Sequence, residues 1–133
     1  MDLTNKISPT EAQMKELLNY PADKPVVMVN IVRFKAQTDA GNETGAEAYA
    51  RYMKNVAPIL QAAGGKLIWR GKVRNIVIGP ETGAPDLIFL VQYPSVQHFL
   101  GMVTSPEYRA VAHDRHIALE YGGLIATEPA APG

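Results

Sequence analysis

The chain has 133 residues, with 13 Lys and Arg against 13 Asp and Glu, so its formal net charge is zero. That length fits one domain with a hydrophobic core, and the charge balance argues against a nucleic-acid-binding or membrane-surface protein, which usually carries a basic excess. Because the sequence contains no cysteine, disulfides, thiolate metal sites and a cysteine nucleophile are excluded.

Neither export nor membrane insertion is indicated by the sequence. The N-terminal residues lack the apolar core of a signal peptide, and no apolar run approaches the roughly 18 residues that a membrane-spanning helix requires. We therefore expect a cytoplasmic protein that binds neither membranes nor nucleic acid.

The first predicted element is a short amphipathic helix. Ser8 has the features of an N-cap, Pro9 is suited to the first helical position, and Glu11 completes a capping box. Pro21 ends the pattern. We assign residues 1–24 to an N-terminal helical extension that packs on the domain or on a neighbouring subunit.

A strand and a long helix follow. Residues 25–35 alternate between two faces that are both apolar over most of their length, so both faces need to be covered. Apolar side chains then recur at the helical spacing over residues 46–63. Pro58 allows a kink in this helix, and Gly64-Gly65 stops it.

Residues 66–73 alternate as a second strand does. The alternation predicts Leu67 and Trp69 on one buried face and a basic stripe on the other. The stripe consists of Lys66, Arg70 and Lys72. Lysine and arginine oppose edge-to-edge aggregation, so we expect this strand at an edge of the sheet. Without a net positive charge, the stripe indicates a solvated edge rather than a nucleic-acid interface.

The last predicted elements are a strand, two helices and a short strand. Residues 87–93 are apolar on both faces. Ser95 and Ser105 each begin a helix as an N-cap. The second of these helices ends at Gly122-Gly123, and residues 124–127 form the final strand.

This order predicts an α+β domain of the ferredoxin-like βαββαβ type over residues 25–127, with two helices on one face of a four-stranded antiparallel sheet. Residues 128–133 are rich in Pro and Ala, and we expect a disordered tail. Two helices cover only one sheet face, whereas two of the strands are apolar on both. Since a bare apolar face is rarely left in water, we expect a homodimer with two-fold symmetry that buries the second face.

Two segments of the sequence resemble a known family. They are YARYMKNVAPILQAAGGKLIWRG and DLIFLVQYPSVQHFLGMVTSPEY, and they are similar to the dimeric α/β-barrel superfamily and, within it, to the family called domain of unknown function 1330. The elements that carry the resemblance are Tyr49, Tyr52, Gly64-Gly65, Tyr93-Pro94-Ser95 and Ser105-Pro106-Glu107-Tyr108. The resemblance implies a dimer with a pocket between sheet and helices, but no established reaction. Other branches of the superfamily include cofactor-free monooxygenases, haem-degrading enzymes and enzymes that resemble muconolactone isomerase or dehalogenases.

Two polar side chains stand out on the first strand. Asn30 interrupts an apolar face, where an unpaired amide costs about 1–3 kcal/mol. It either hydrogen-bonds the backbone or orients a ligand in a pocket. Arg33 lies on the opposite face, where it either holds an anionic ligand by a bidentate contact or pairs with a carboxylate at the rim.

Three aromatic side chains and one histidine are further candidates. Trp69, Tyr49 and Tyr52 either pack in a core or dimer interface, which is the more frequent case, or line a pocket in which a phenol donates a hydrogen bond. His98 follows the Ser95 cap and is the best acid–base candidate, although an exposed histidine is more common at such a position.

The remaining histidines do not indicate a metal site. His113, His116 and Glu120 share one helix face, but their spacing matches no established metal motif. We expect neither a metal nor a cofactor, since the sequence also lacks a phosphate-binding glycine loop and a nucleophile elbow.

The leading hypothesis, which the resemblance implies, is a small-molecule enzyme of the dimeric α/β-barrel type, a cofactor-free monooxygenase or isomerase for an apolar or aromatic ligand. One alternative is a non-catalytic ligand-binding or structural homodimer. Another is a haem-binding protein, because Asn30, Trp69 and His98 are residue types that the haem-degrading enzymes of the resembling superfamily use. An enzyme requires Asn30, Arg33 and a tyrosine or histidine in a single enclosed pocket. The candidate residues are, as catalytic groups, Asn30, His98 and Tyr49, and, as ligand-binding groups, Arg33, Tyr52 and Trp69.

Overall fold

The computed structural model describes residues 6–130 of the chain. Its elements, in chain order, are α1 (Glu11–Leu17), β1 (Val26–Phe34), α2 (Gly45–Ala62), β2 (Lys66–Lys72), β3 (Leu87–Tyr93), α3 (Val96–Val103), α4 (Pro106–Ala118) and β4 (Leu119–Thr127). Of the tail for which we predict disorder, residues 128–130 form neither helix nor strand, and residues 131–133 lie outside the described part. Each helix of the described chain is too short or too polar to cross a membrane.

The strands form one antiparallel sheet in the order β2-β3-β1-β4, with β1 paired to both β3 and β4. With helices packed on one face, this is the ferredoxin-like fold, so the predicted fold is confirmed. β2 lies at one edge, as its basic side chains predict, and β4 lies at the other.

One face of the sheet, the inner face, packs against the helices. Alternate residues of the central strands are buried there, with Met28 of β1 and Phe89 of β3 at 2% and 4% exposure. They form one core with Tyr49 and Tyr52 of α2 and Phe99 of α3. Because the side-chain period of a strand is two residues, the intervening positions lie on the opposite, outer face.

The outer face carries a second set of apolar side chains. Ile31 pairs with Ile88, and Leu90 pairs with Trp69. Trp69 and Ile125 are 53% and 44% exposed. The helices of the described chain belong to the layer on the inner face, so residues 6–130 of one chain place no helix over this apolar surface.

A β-bulge in β2 overturns one prediction. Leu67 pairs with Val91 on the inner face, whereas Trp69 pairs with Leu90 on the outer face, because Ile68 is an extra residue between them. The prediction that Leu67 and Trp69 share a buried face is therefore wrong. A bulge shifts the register by one residue and moves every later side chain of the strand to the other face.

The start of α1 also differs from the prediction. Thr10, not Ser8, is the N-cap: its hydroxyl accepts from the Gln13 backbone N–H, while the Gln13 side chain accepts from the Thr10 N–H. A capping box is thus present, but it lies two residues further along the chain.

The other helix starts agree with the sequence pattern. Thr44 caps α2, and this helix continues through Pro58 to Ala62. Ser95 and Ser105 cap α3 and α4, and each accepts the N–H of the residue three positions on.

The end of α4 and the length of β4 were predicted wrongly. The helix ends at Ala118, and Gly122 and Gly123 lie within β4, where they pair with Val32 and Ile31 of β1. Both glycines lie in register with the central strand and continue β4, so they do not serve as a helix stop.

Candidate functional site

A cleft of about 1280 Å³ lies between the inner face of the sheet and the helices. Apolar side chains form most of its walls: Met28, Phe89 and Val91 from the sheet, Val56 and Leu60 from α2, and Leu17 from α1. Exposed residues such as Gln61 and Lys66 form part of its rim. Concave, mainly apolar cavities with a few polar groups are the usual form of small-molecule sites.

The N-terminal segment forms one side of this cleft. It is anchored before α1, where the Gly122 N–H donates to the Lys6 carbonyl at 2.6 Å. It is anchored again after α1, where the Tyr20 hydroxyl donates to the Pro25 carbonyl at 2.5 Å. Between these points α1 has no buried residue, although Leu17 packs against the core. α1 therefore covers one side of the cleft without burying its own side chains, and hydrogen bonds before and after the helix hold the segment in place.

Three tyrosines and an arginine form a polar group within the cleft. The rings of Tyr49 and Tyr52 lie 5.3 Å apart, and the rings of Tyr52 and Tyr108 lie 6.3 Å apart. The hydroxyls of Tyr52 and Tyr108 are hydrogen-bonded at 3.0 Å. Arg115 on α4 lines the same space. We call Tyr49, Tyr52, Tyr108 and Arg115 the polar cluster.

Burial fixes the protonation state of the two α2 phenols. Removal from water raises the pKa of Tyr49 and of Tyr52 well above the ordinary tyrosine value. The positive charge of Arg115 offsets part of this rise, and the neighbouring Tyr108 adds to it. Both phenols are therefore neutral at physiological pH. They can donate a hydrogen bond to an oxygen atom, but they cannot act as bases.

Arg115 is held in place by backbone groups. Its guanidinium donates to the Ile7 carbonyl at 2.9 Å and to the Gly122 carbonyl at 3.2 Å. A Cβ atom at Gly122 would lie only 2.7 Å from the Arg115 Nη2 atom and from a methyl group of Leu119. The absence of a side chain at Gly122 therefore allows the guanidinium to lie against β4.

Asn30 is half-buried in the floor of the cleft. Its Nδ2 donates to the Met28 carbonyl at 3.3 Å. Its amide oxygen has no hydrogen-bond partner within residues 6–130. Both interpretations of Asn30 are thus partly met, because one end of the amide bonds the backbone and the other is available to a ligand.

The other predicted site residues lie outside the cleft. Arg33 lies on the outer face, where its Nε pairs with Glu120 at 3.1 Å. Trp69 also lies on the outer face. His98 is exposed on α3, and its Nδ1 is hydrogen-bonded to the Ser95 hydroxyl at 2.7 Å.

The cleft thus brings together Asn30, Tyr49 and Tyr52. It does not include Arg33, Trp69 or His98. Asn30 and Arg33 are an odd number of residues apart on one strand and so face opposite sides of the sheet. The described part of one chain does not form the single pocket with both residues that we required of an enzyme. The residues considered for haem binding are likewise divided between both sheet faces and α3.

The histidine-rich face of α4 does not form a metal site. Within the described part of the chain, no group of three His, Asp or Glu side chains is placed to hold a metal ion. Glu120 instead pairs with Arg33, while His116 lines the cleft.

Sequence reasoning missed two members of the polar cluster. Tyr108 was considered only as part of the helix-start motif and of the apolar pattern of its helix, and Arg115 was not considered as a site residue. The two lie about two turns apart on one side of α4. This shared position on one helix face was the signal in the sequence that could have assigned both side chains to one site.

Solved structures share the fold of this chain. A dimeric protein of unknown function with a ferredoxin-like fold from Bacteroides fragilis is 13% identical, with a TM-score of 0.50 over 78% of this chain and 95% of that one. The hydroxynitrile lyase from Passiflora edulis is also 13% identical, with a TM-score of 0.60 over 84% and 98% of the two chains. At these identities the likeness shows the ferredoxin-like fold alone.

A much nearer relative and a family model assign the family. A protein of unknown function from Rhodopseudomonas palustris is 34% identical, with a TM-score of 0.89 over 96% of this chain and 98% of that chain. The model of the family described as domain of unknown function (DUF1330) matches residues 41–128. The chain therefore belongs to the DUF1330 family. No curated protein matches it.

Proposed function

We propose that this chain is a small-molecule enzyme whose site is the cleft on the inner face and uses Asn30 and the tyrosines without Arg33. The observation that supports this most is the presence of Asn30, Tyr49 and Tyr52 in one cavity with mainly apolar walls. Such walls suit an apolar or aromatic ligand, and the few polar groups would fix its orientation.

The polar groups suggest stabilisation of an oxygen anion. A neutral phenol in a water-poor site stabilises an enolate or alkoxide oxygen by hydrogen bonding, and such donors commonly contribute about 3–4 kcal/mol to transition-state stabilisation. Tyr49 is the proposed donor, and the Asn30 amide is the proposed orienting group. Cofactor-free monooxygenation and isomerisation both pass through such an anion, so both remain in the proposal.

A proton transfer in this cleft would use a histidine other than the predicted one. His98 lies outside the cleft, whereas His116 is part of its lining. Imidazole titrates near neutral pH and is the commonest general base. We assign this role to His116, while the roles of His98, Arg33 and Trp69 stay predictions that this mechanism does not use.

Turnover can be tested without knowledge of the substrate. The wild-type protein and the Tyr49→Phe variant are incubated with a bacterial metabolite extract, and the small molecules are compared by mass spectrometry. We expect compounds that the wild type consumes and that Tyr49→Phe consumes at least tenfold more slowly. His98→Ala is the matched control and should behave like the wild type.

Two outcomes contradict the enzyme proposal. If no compound changes although some are retained by the protein, the chain is the non-catalytic ligand-binding protein of the alternative. If the variant and the wild type consume the same compounds at the same rate, the reaction does not take place at Tyr49.

We also propose that the chain acts as a homodimer joined through its outer faces. Support comes from the uncovered apolar side chains of β1, β3 and β2 on that face. The protein from Bacteroides fragilis that shares the fold is described as dimeric. In this arrangement Trp69 packs in the subunit interface, and the two clefts lie on the outside of the dimer.

A further inference from the structure

The polar cluster contains a positive charge that no carboxylate of the described chain balances. Arg115 is half-buried, and its hydrogen bonds go only to the backbone carbonyls of Ile7 and Gly122 within residues 6–130. By contrast, Arg33 and Arg51 each pair with carboxylates. A partly buried arginine is normally paired, since removing its charge from water is costly.

The hydroxyl of Tyr49 is a second free donor beside this charge. The Tyr49 side chain is only 3% exposed, yet its hydroxyl has no hydrogen-bond partner in the described chain. In the same residues, every side-chain N or O atom that is shut off from solvent does have a partner. The Tyr49 hydroxyl is therefore not fully shut off from solvent, and Tyr49 lines the cleft together with Arg115, with which it interacts electrostatically.

The charge of the whole cleft has the same sign. Its charged lining residues in the described chain are mainly basic, although the chain as a whole is neutral. They are Lys6, Lys54, Lys66, Arg70 and Arg115, against the single acid Glu16. A basic cavity in a neutral protein attracts and retains anions.

We propose that the ligand of this cleft is an apolar or aromatic carboxylic acid, whose carboxylate is bound by Arg115 and the Tyr49 hydroxyl. Of the five N–H groups of the guanidinium, two donate to backbone carbonyls, so the others are available for a carboxylate. A singly charged group matches the single arginine of the cluster better than a phosphate does. The apolar body of the ligand would lie against Met28, Phe89 and Val91. This inference rests on the proposed function of the cleft, and it names the class of ligand.

Matched acids and amides test the inference. Binding of 2-naphthoate and octanoate to the full chain is measured by titration calorimetry, beside the uncharged 2-naphthamide and octanamide. We expect each acid to bind at least about tenfold more tightly than its amide, because hydrogen bonds to a charged group are stronger than those between neutral groups.

Four variants assign this preference to its residues. Arg115→Gln should abolish the preference for the acid, and Tyr49→Phe should reduce it severalfold while leaving the fold intact. Arg115→Lys keeps the charge and should retain most of the preference. Arg109→Gln removes an exposed arginine of α4 that does not line the cleft and should leave binding unchanged. If Arg115→Gln proves unfolded by circular dichroism, because it also loses its contacts with Ile7 and Gly122, the Lys and Phe variants decide.

The failures of the two proposals are distinguishable. Equal binding of acids and amides by the wild type, unchanged in Arg115→Gln, overturns the carboxylate inference and leaves a ligand-binding cleft. No binding of any of the four probes contradicts both the inference and the proposed function.

Discussion

Tyr49 shows how burial sets the chemistry of a single side chain. Its ring packs between Phe34 and Tyr52, at 5.4 and 5.3 Å between ring centres, so the phenol is almost fully removed from water. Burial raises its pKa and keeps the hydroxyl protonated. Since this hydroxyl has no partner in the described chain, it is the donor that we propose for the ligand.

The Tyr52 hydroxyl has a hydrogen-bond partner and the Tyr49 hydroxyl has none in the described chain, and this difference is measurable. Tyr52→Phe leaves the Tyr108 hydroxyl without its partner at 3.0 Å, so we expect the free energy of unfolding to fall by about 1 kcal/mol. Tyr49→Phe removes a hydroxyl without a partner and should change it by less than about 0.5 kcal/mol. Urea denaturation followed by circular dichroism gives both values, and a larger loss for Tyr49→Phe contradicts the assignment of a free hydroxyl.

Gly122 and Gly101 provide a second comparison between single residues. In Gly122→Ala the new methyl group collides with Arg115 and Leu119, so we expect a loss of about 1–3 kcal/mol in the free energy of unfolding. Gly101 lies in α3, where an added Cβ would meet nothing within 4 Å, and Gly101→Ala should stabilise by about 0.5–1 kcal/mol. Similar effects of the two changes in urea denaturation contradict the close packing of Arg115 on β4.

At the scale of elements, an ion-pair network joins α2 to α4. Arg51 forms two hydrogen bonds with the Glu43 carboxylate, at 2.7 and 2.8 Å, and one with Asp114 of α4 at 2.9 Å. The hydrogen bonds from Arg51 lower the pKa of Glu43 below its ordinary value. The network orients the helix that carries Tyr49 against the helix that carries Arg115, and so contributes to the geometry of the polar cluster.

The network predicts a defined loss of stability in acid. The pKa of Glu43 is lower in the folded chain than in the unfolded one. The ionised carboxylate therefore stabilises the fold at pH values above the ordinary glutamate pKa. This stabilisation is lost as the pH falls through the lowered value. Urea midpoints measured from about pH 7 to about pH 3 should therefore fall less steeply in Arg51→Gln than in the wild type.

The control for this experiment is Lys15→Gln. Lys15 pairs with Glu11 at 3.5 Å on the exposed surface of α1, where an ion pair contributes little. This variant should keep the acid dependence of the wild type. If Arg51→Gln also keeps it, the network does not stabilise the fold.

At the scale of the whole molecule, the two faces of the sheet have different roles. The inner face builds the core and the cleft with the helices. The outer face carries apolar residues that no described helix covers, which is why we propose a homodimer. In the proposed arrangement, assembly and ligand binding would use opposite surfaces and would not compete.

Sedimentation equilibrium at micromolar concentration tests the dimer. We expect the wild type to sediment at twice the 14.5 kDa of the chain. Leu90→Lys introduces a charge opposite Trp69 on the outer face and should produce monomers. Leu18→Lys changes an apolar residue at the end of α1 that is 61% exposed and should leave the dimer intact. A wild-type protein that sediments as a monomer contradicts the proposal.

Local patterns were sufficient for most of the fold. Alternation identified β1 and β3 and assigned Asn30 to the face opposite Arg33, because side-chain direction in a strand depends only on sequence spacing. Ser95 and Ser105 marked helix starts, because capping is a contact over three residues. The order of these elements along the chain then led to the ferredoxin-like fold.

Tertiary contacts decided the rest. The bulge at Ile68 arises from pairing with β3, and no local residue marks it. Gly122 continues β4 because it lies in register with Val32 of β1 and its N–H donates to the Lys6 carbonyl, two partners far away in the sequence. The polar cluster joins Tyr49 of α2 to Arg115 of α4, and only the packing of two helices on one sheet brings them together. Interactions between distant residues depend on the complete fold, so the site is a property of the tertiary structure and its elements are a property of the sequence.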